Sequence, residues 1–161
     1  MRVLEHPWRS SGRMVLMSQR DCALLYSVSK PARYIGGEVN EVIKPEGEVQ
    51  AWFALAFPDT YEIGMSHAGL KVLYHILNAI PGIWAQRAFA PWHDMAEAMR
   101  SSGMELDSLE EKRPLRLFDV VGFSLLYELS YTTVVRMLRL SGIPVHACER
   151  SKSDPIVIAG G

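Results

Sequence analysis

Three apolar runs constrain this chain more than any other feature: 51-AWFALAF-57, 119-DVVGFSL-125 and 155-PIVIAGG-161. Each is too short for a buried helix, and none shows the polar alternation of a strand with one wet face. That is the pattern of strands covered on both sides in a parallel sheet. Between them lie segments of helical period. In 66-SHAGLKVLYHILN-78, Leu70, Leu73, Ile76 and Leu77 fall on one side and His67, Lys71, His75 and Asn78 on the other, with Ser66 as the N-cap and Pro81-Gly82 as the stop. Residues 83–90 alternate as a strand. Pro91 opens a helix with a stripe of Trp92, Met95, Ala96 and Met99, closed by Gly103, and 129-LSYTTVVRMLRLSG-142 is a helix turned inward at Val134, Met137 and Leu138.

Strands and helices that alternate across short joints need crossover connections. The expected fold is therefore α/β, Rossmann or flavodoxin-like, a mainly parallel sheet with helices on both faces. Elsewhere the pattern is weaker. Residues 18–28 read as a short helix before Lys30-Pro31, and 33–49 as a glycine-rich, charged loop whose Gly36-Gly37 pair is a turn. Residues 104–117 suggest a short edge strand and a charged turn at Glu110 to Arg113; 143–149 suggests a further strand with His146 and Cys148 on one face. Residues 1–30 are expected to be an N-terminal extension, with Met14 or Met17 as alternative starts. Residues 31–161 are expected to be the α/β domain, ending in mid-fold at Gly160-Gly161.

Seventeen Lys and Arg against eighteen Asp and Glu leave a formal charge of -1, so no global field recruits nucleic acid or an anionic membrane. Any anion site must be local. Two cysteines, Cys22 and Cys148, form neither a disulfide framework nor a C-x-x-C pair, which points to a reducing compartment. No apolar run approaches the roughly 18 residues of a membrane span. A cytoplasmic protein without membrane or nucleic-acid partners is the expectation.

Ligands of such sheets bind beyond the carboxyl ends of the strands, where the strand order reverses. The joints at 58–67, 124–130 and 159–161 converge there, with 90–94 at the rim. The candidate binding residues are accordingly Tyr61, Met65, Ser66, His67, Gly69, Ser124, Tyr127, Glu128, Gly160 and Gly161. Known signatures are missing. Gly64 and Gly69 do not make G-x-G-x-x-G, and no Lys-Ser/Thr pair completes a P-loop. Thr60 and Ser66 are few hydroxyls for a flavin phosphate, which Asp59 and Glu62 would repel. A cobalt-ligating histidine in D-x-H-x-x-G fails at His67, because Met65 stands where the aspartate belongs and Gly69 comes one place early. His67 reads as a helix-start residue. Two ligands at His146 and Cys148 do not make a metal site, and no metal is expected. Ser124 lacks the second glycine of G-x-S-x-G, and no catalytic residue set is legible.

The runs 31-PARYIGGEVN-40, 54-ALAFPDTYEIGMSHAGLKVLYHILN-78, 89-FAPWHDM-95, 118-FDVVGFSLLYELSYTTVVRML-138 and 154-DPIVIAGG-161 resemble the N-terminal domain of an uncharacterised bacterial family of radical S-adenosylmethionine (radical SAM) proteins. The resemblance implies a cobalamin-binding-like domain placed before a radical SAM barrel. It also implies a parent protein in which C-x-x-x-C-x-x-C holds a 4Fe-4S cluster that binds S-adenosylmethionine. That cysteine triad is not in this chain, so catalysis by these residues alone is not expected. Cobalamin is the implied candidate occupant, lying over the strand ends against 61–66, 124–128 and Gly160-Gly161. The implied role is an accessory domain that positions substrate or corrinoid, with the barrel as its partner. A structural or interaction module whose pocket is filled by Tyr61, Met65 and Tyr127, and a free-standing flavodoxin-like nucleotide binder, are the alternatives.

Overall fold

The computed structural model describes residues 19–161, with the side chains of 19–22 left aside. Four strands, β1 (Ala51–Phe57), β2 (Ile83–Phe89), β3 (Val120–Ser124) and β4 (Ile156–Gly160), form one sheet in the order β2-β1-β3-β4. Every neighbouring pair is parallel. The helices are α1 (Gln19–Ser27), α2 (Tyr61–Ser66), α3 (Ala68–Ala79), α4 (His93–Ser102) and α5 (Ser130–Leu140). This is the expected α/β arrangement, with helices on both faces. The expected N-terminal extension falls largely on residues 1–18, outside the described residues.

Strand alternation divides the core in two. Ala54, Ala56, Ala88, Val121 and Phe123 face Met95, Ala96 and Met99 of α4 and Met137 and Leu138 of α5. Leu55, Phe57, Ala85 and Phe89 face Leu70 and Tyr74 of α3. The chain leaves β1 toward β2 with α2 and α3 on one face, then returns past β1 to β3 and β4 with α4 and α5 on the other. Right-handed crossovers require that change of face when the direction of winding reverses. The reversal lies between β1 and β3.

The inward side of α3 is centred on Leu70 and Tyr74, with Leu77 half-buried, while Leu73 and Ile76 are exposed. The expected face was therefore rotated. Its cause is Tyr74, whose hydroxyl accepts the Val42 N–H at 2.9 Å and so can be buried without leaving a polar group unpaired. The cap differs as well. His67, not Ser66, is the N-cap of α3, its Nδ1 accepting the Leu70 N–H at 3.2 Å, because residues 61–66 are already helical and the Ser66 hydroxyl donates back to Glu62 O at 2.7 Å. Trp92 lies outside the buried stripe of α4 and is its N-cap residue.

Two expected strands are not formed. Residues 104–117 make a folded loop with one antiparallel bridge, Asp107 to Pro114, and Lys112 in the left-handed region at φ 54°. Their hydrogen-bonding groups serve the outer edge of β2 instead, where Leu109 N–H donates to Arg87 O at 2.7 Å. Residues 143–149 carry a short 3-10 turn at Ala147–Glu149, fastened by Arg150, which donates to Pro144 O and Val145 O at 2.9 Å each. His146 and Cys148 therefore do not share a strand face.

The β2 edge is closed by side chains. Asn78 at the end of α3 donates from Nδ2 to Ala85 O and accepts from Ala85 N–H, both at 3.0 Å, imitating a neighbouring strand. One residue pair further along, the Glu110 carboxylate accepts the Arg87 N–H at 2.7 Å. Lys44, at the end of a strap formed by residues 35–44, gives its ammonium to Asn78 O at the C-terminus of α3, at 2.8 Å, and to Ile83 O at the start of β2, at 2.5 Å.

Candidate functional site

A crevice of about 190 Å³ opens at the carboxyl ends of β1, β2 and β3, at the reversal of strand order. Pro58, Asp59 and Thr60 wall it after β1, Ala90 to His93 after β2, Tyr127 after β3, and Thr133 and Arg136 from α5. The walls are tied to one another. Ala90 N–H donates to Phe57 O at 3.2 Å and to Asp59 O at 2.9 Å, joining the β1 and β2 exits. Tyr127 O accepts both the N–H (3.1 Å) and the hydroxyl (2.6 Å) of Ser130, fixing the entry of α5.

The Trp92 wall is braced from behind. The Trp92 backbone N–H donates to the Tyr34 hydroxyl at 3.0 Å, and the Arg33 guanidinium lies 5.3 Å from the Trp92 ring centroid. Burial pushes the Tyr34 phenol up. Asp94 accepts the backbone N–H and the hydroxyl of Ser29 at 2.9 and 2.8 Å, and these bonds hold its carboxyl below the usual range. Arg136 is the crevice's cationic group. Its Nη2 reaches Pro91 O only at 3.5 Å, and its Nε is buried without a hydrogen-bond partner.

The sequence-derived candidates divide. Tyr127 lines the crevice. Ser124 pairs with Gly160 at the end of the β3–β4 ladder, Gly160 O accepts the Leu125 N–H at 2.8 Å, and Gly161 lies so close to Leu125 O that a Cβ would stand 1.9 Å from it. Glu128 is exposed, its carbonyl accepting the Tyr131 N–H at 3.2 Å. Tyr61 and Met65 instead belong to a polar cluster under the strap: the Tyr61 hydroxyl donates to the Glu38 carboxylate, and Met65 Sδ accepts from Arg87 Nη1 at 3.4 Å. Ser66 and His67 are spent on helix ends, and a Cβ at Gly69 would approach His67 Cε1 to 2.9 Å.

Thr60, His93, Thr133 and Arg136 were not among the candidates, although the joints at 58–67 and 90–94 were. The missed signal was on α5, where Thr133 and Arg136 form an i, i+3 polar pair beside the apolar stripe.

No corrin seat is marked among these residues: the crevice by itself is smaller than the roughly 300–1,000 Å³ of ordinary ligand pockets. The 61–66 segment offers no seat either, since it is a helix with Gly64 pressed on Phe89 and Phe57, where a Cβ would stand 2.3 Å from Phe89 Cε1. Among the described residues no group of three or more His, Cys, Asp or Glu is placed to hold a metal ion. No described helix is long and apolar enough to cross a membrane.

Fold and crevice together define an open α/β domain with a crevice at its topological switch point. The family of radical SAM proteins, N-terminal region, matches residues 69–161, more than half of the chain, and the chain belongs to that family. The match takes in the crevice walls at 90–93, 127, 133 and 136. No curated protein and no solved structure matches.

Proposed function

We propose that this chain is the accessory N-terminal domain of a radical SAM enzyme and that its switch-point crevice holds part of the substrate against the parent's barrel. The family match supports the first half, and one observation carries the second: the crevice sits at the carboxyl ends of the paired strands β1 and β3, whose outgoing connections turn to opposite faces, the place where open α/β sheets bind ligands. The barrel supplies the 4Fe-4S cluster and the S-adenosylmethionine chemistry. This domain supplies position, holding substrate at the crevice.

Filling the crevice tests the reading. In the parent enzyme, Thr133→Trp should leave reductive cleavage of S-adenosylmethionine intact while product formation falls at least tenfold. Equal loss of both, or of neither, would count against substrate positioning.

The barrel is also the proposed partner of the sheet's uncovered face. On the α3 side, α3 lies over β1 and β2 only, and Ile156 and Ile158 of β4 are 65% and 49% exposed. Apolar strand residues so exposed favour a second packed layer supplied by the same parent protein.

A further inference from the structure

We infer that Arg136 joins the switch-point crevice to a second groove, and that the two form one track for a ligand carrying two oxyanion groups. This rests on the substrate-positioning reading and names the chemical class of what is positioned. The second groove, about 460 Å³, runs between α4 and α5 and is lined by Arg100, Thr132, Val135, Arg136, Arg139 and Leu140. Arg136 lines both spaces.

The charges in the track are not neutralised from within. Arg136 and Arg139 make no ion pair among the described residues, and they stand three residues apart on α5, where like charges repel. Arg100 spends its guanidinium on Glu97, at 2.5 Å on an exposed helix face. No acidic side chain lines the groove, and in the crevice Asp59 already accepts the Thr60 N–H at 2.7 Å. The Arg136 Nε is the second, independent observation: a buried donor with no acceptor is rare in a folded protein, and an arginine fork is shaped for a bidentate oxyanion. Hydroxyls from Thr133 and Tyr127 on the crevice side can donate to the remaining oxygens. With a formal net charge of -1, the chain offers no general attraction for anions, so binding must come from this local set.

Calorimetric titration of the 161-residue chain with inorganic pyrophosphate, and separately with citrate, tests the assignment at low ionic strength. Saturable one-site binding is expected, weakened at least tenfold by Arg136→Ala, severalfold by Arg139→Ala on the exposed face, and unchanged by Lys71→Ala on α3. Preference for pyrophosphate identifies a phosphoryl ligand, preference for citrate a carboxylate, and comparable binding of both a general oxyanion track; each supports the inference. Binding that survives in both arginine variants overturns it, as does the absence of saturable binding to the wild-type chain. Thermal melting of each variant separates lost binding from lost folding, with Arg139→Ala deciding the matter if Arg136→Ala does not fold. Failure here leaves the accessory role standing, since that role is read from product and S-adenosylmethionine cleavage in the parent.

Discussion

Arg87 and Glu110 are joined twice: Arg87 Nε donates to Glu110 Oε1 at 2.6 Å, and the Arg87 backbone N–H donates to Oε2 at 2.7 Å. Both residues are buried, at 2% and 3% exposure, and Arg87 Nη2 has no partner. Burial pushes the Glu110 carboxyl up, against the pull of the guanidinium. The Arg87 guanidinium also lies 4.4 Å from the Tyr74 ring centroid. One carboxylate thus neutralises a charge inside the domain and completes the edge of β2.

Breaking this pair should be costly. Glu110→Gln leaves the guanidinium buried without its hydrogen-bonded counter-charge, and the expected loss is about 3–5 kcal/mol. Urea unfolding followed by circular dichroism measures it. A loss below about 1 kcal/mol would mean that water reaches Arg87 readily.

Asn78 should protect β2 from association as well as stabilise it. Asn78→Ala removes two hydrogen bonds to Ala85, worth about 0.5–1.5 kcal/mol each, and exposes a free edge N–H and C=O. Lower stability together with concentration-dependent light scattering is expected. Unchanged behaviour in both would show that another group closes the edge.

His67 should act as a cap and nothing more. His67→Ala is expected to cost about 0.5–2 kcal/mol, and His67→Asn to restore most of it, because asparagine accepts the same N–H. If asparagine fails to rescue, packing of the imidazole on Phe57, at 5.3 Å between ring centroids, outweighs the cap.

These residues show where the sequence was readable and where it was not. The parallel sheet was legible because 51–57 and 119–125 are apolar without alternation and lie between two layers, whereas 155–161 has the same pattern but leaves Ile156 and Ile158 exposed on the α3 side. Gly103 and Gly142 marked helix ends, and both adopt positive φ. Arg87 was not legible, because a charge within a buried strand makes sense only through Glu110, whose role depends on how the 104–117 loop folds. Capping by His67 rather than Ser66 was hidden for a similar reason. Two adjacent residues could each serve, and the choice follows from α2 packing Gly64 against Phe89. The crevice was half legible: topology located its joints, but Arg136 lies on a helix whose apolar stripe drew attention to its neighbours.

Tyr61 should titrate late. Burial, and then the Glu38 carboxylate that its hydroxyl meets, raise its pKa to about 12 from the ordinary phenolic value. The folded state therefore holds the proton where the unfolded chain has released it, so Tyr61 stabilises the fold below about pH 10 and loses that contribution as pH rises toward 12. The stability gap between wild type and Tyr61→Phe should narrow across that window, and ultraviolet titration should show one fewer late phenol in the variant. A gap constant with pH would contradict the Tyr61–Glu38 contact.

The central claim is that substrate meets this domain at the switch-point crevice. Hydrogen exchange of the parent enzyme, with and without substrate, tests it most directly. The account predicts slowed exchange in residues 58–61, 90–94 and 127–136, with the strap at 35–44 and the far end of α3 unchanged. Protection confined to the barrel, or appearing in this domain only away from those three segments, would contradict it.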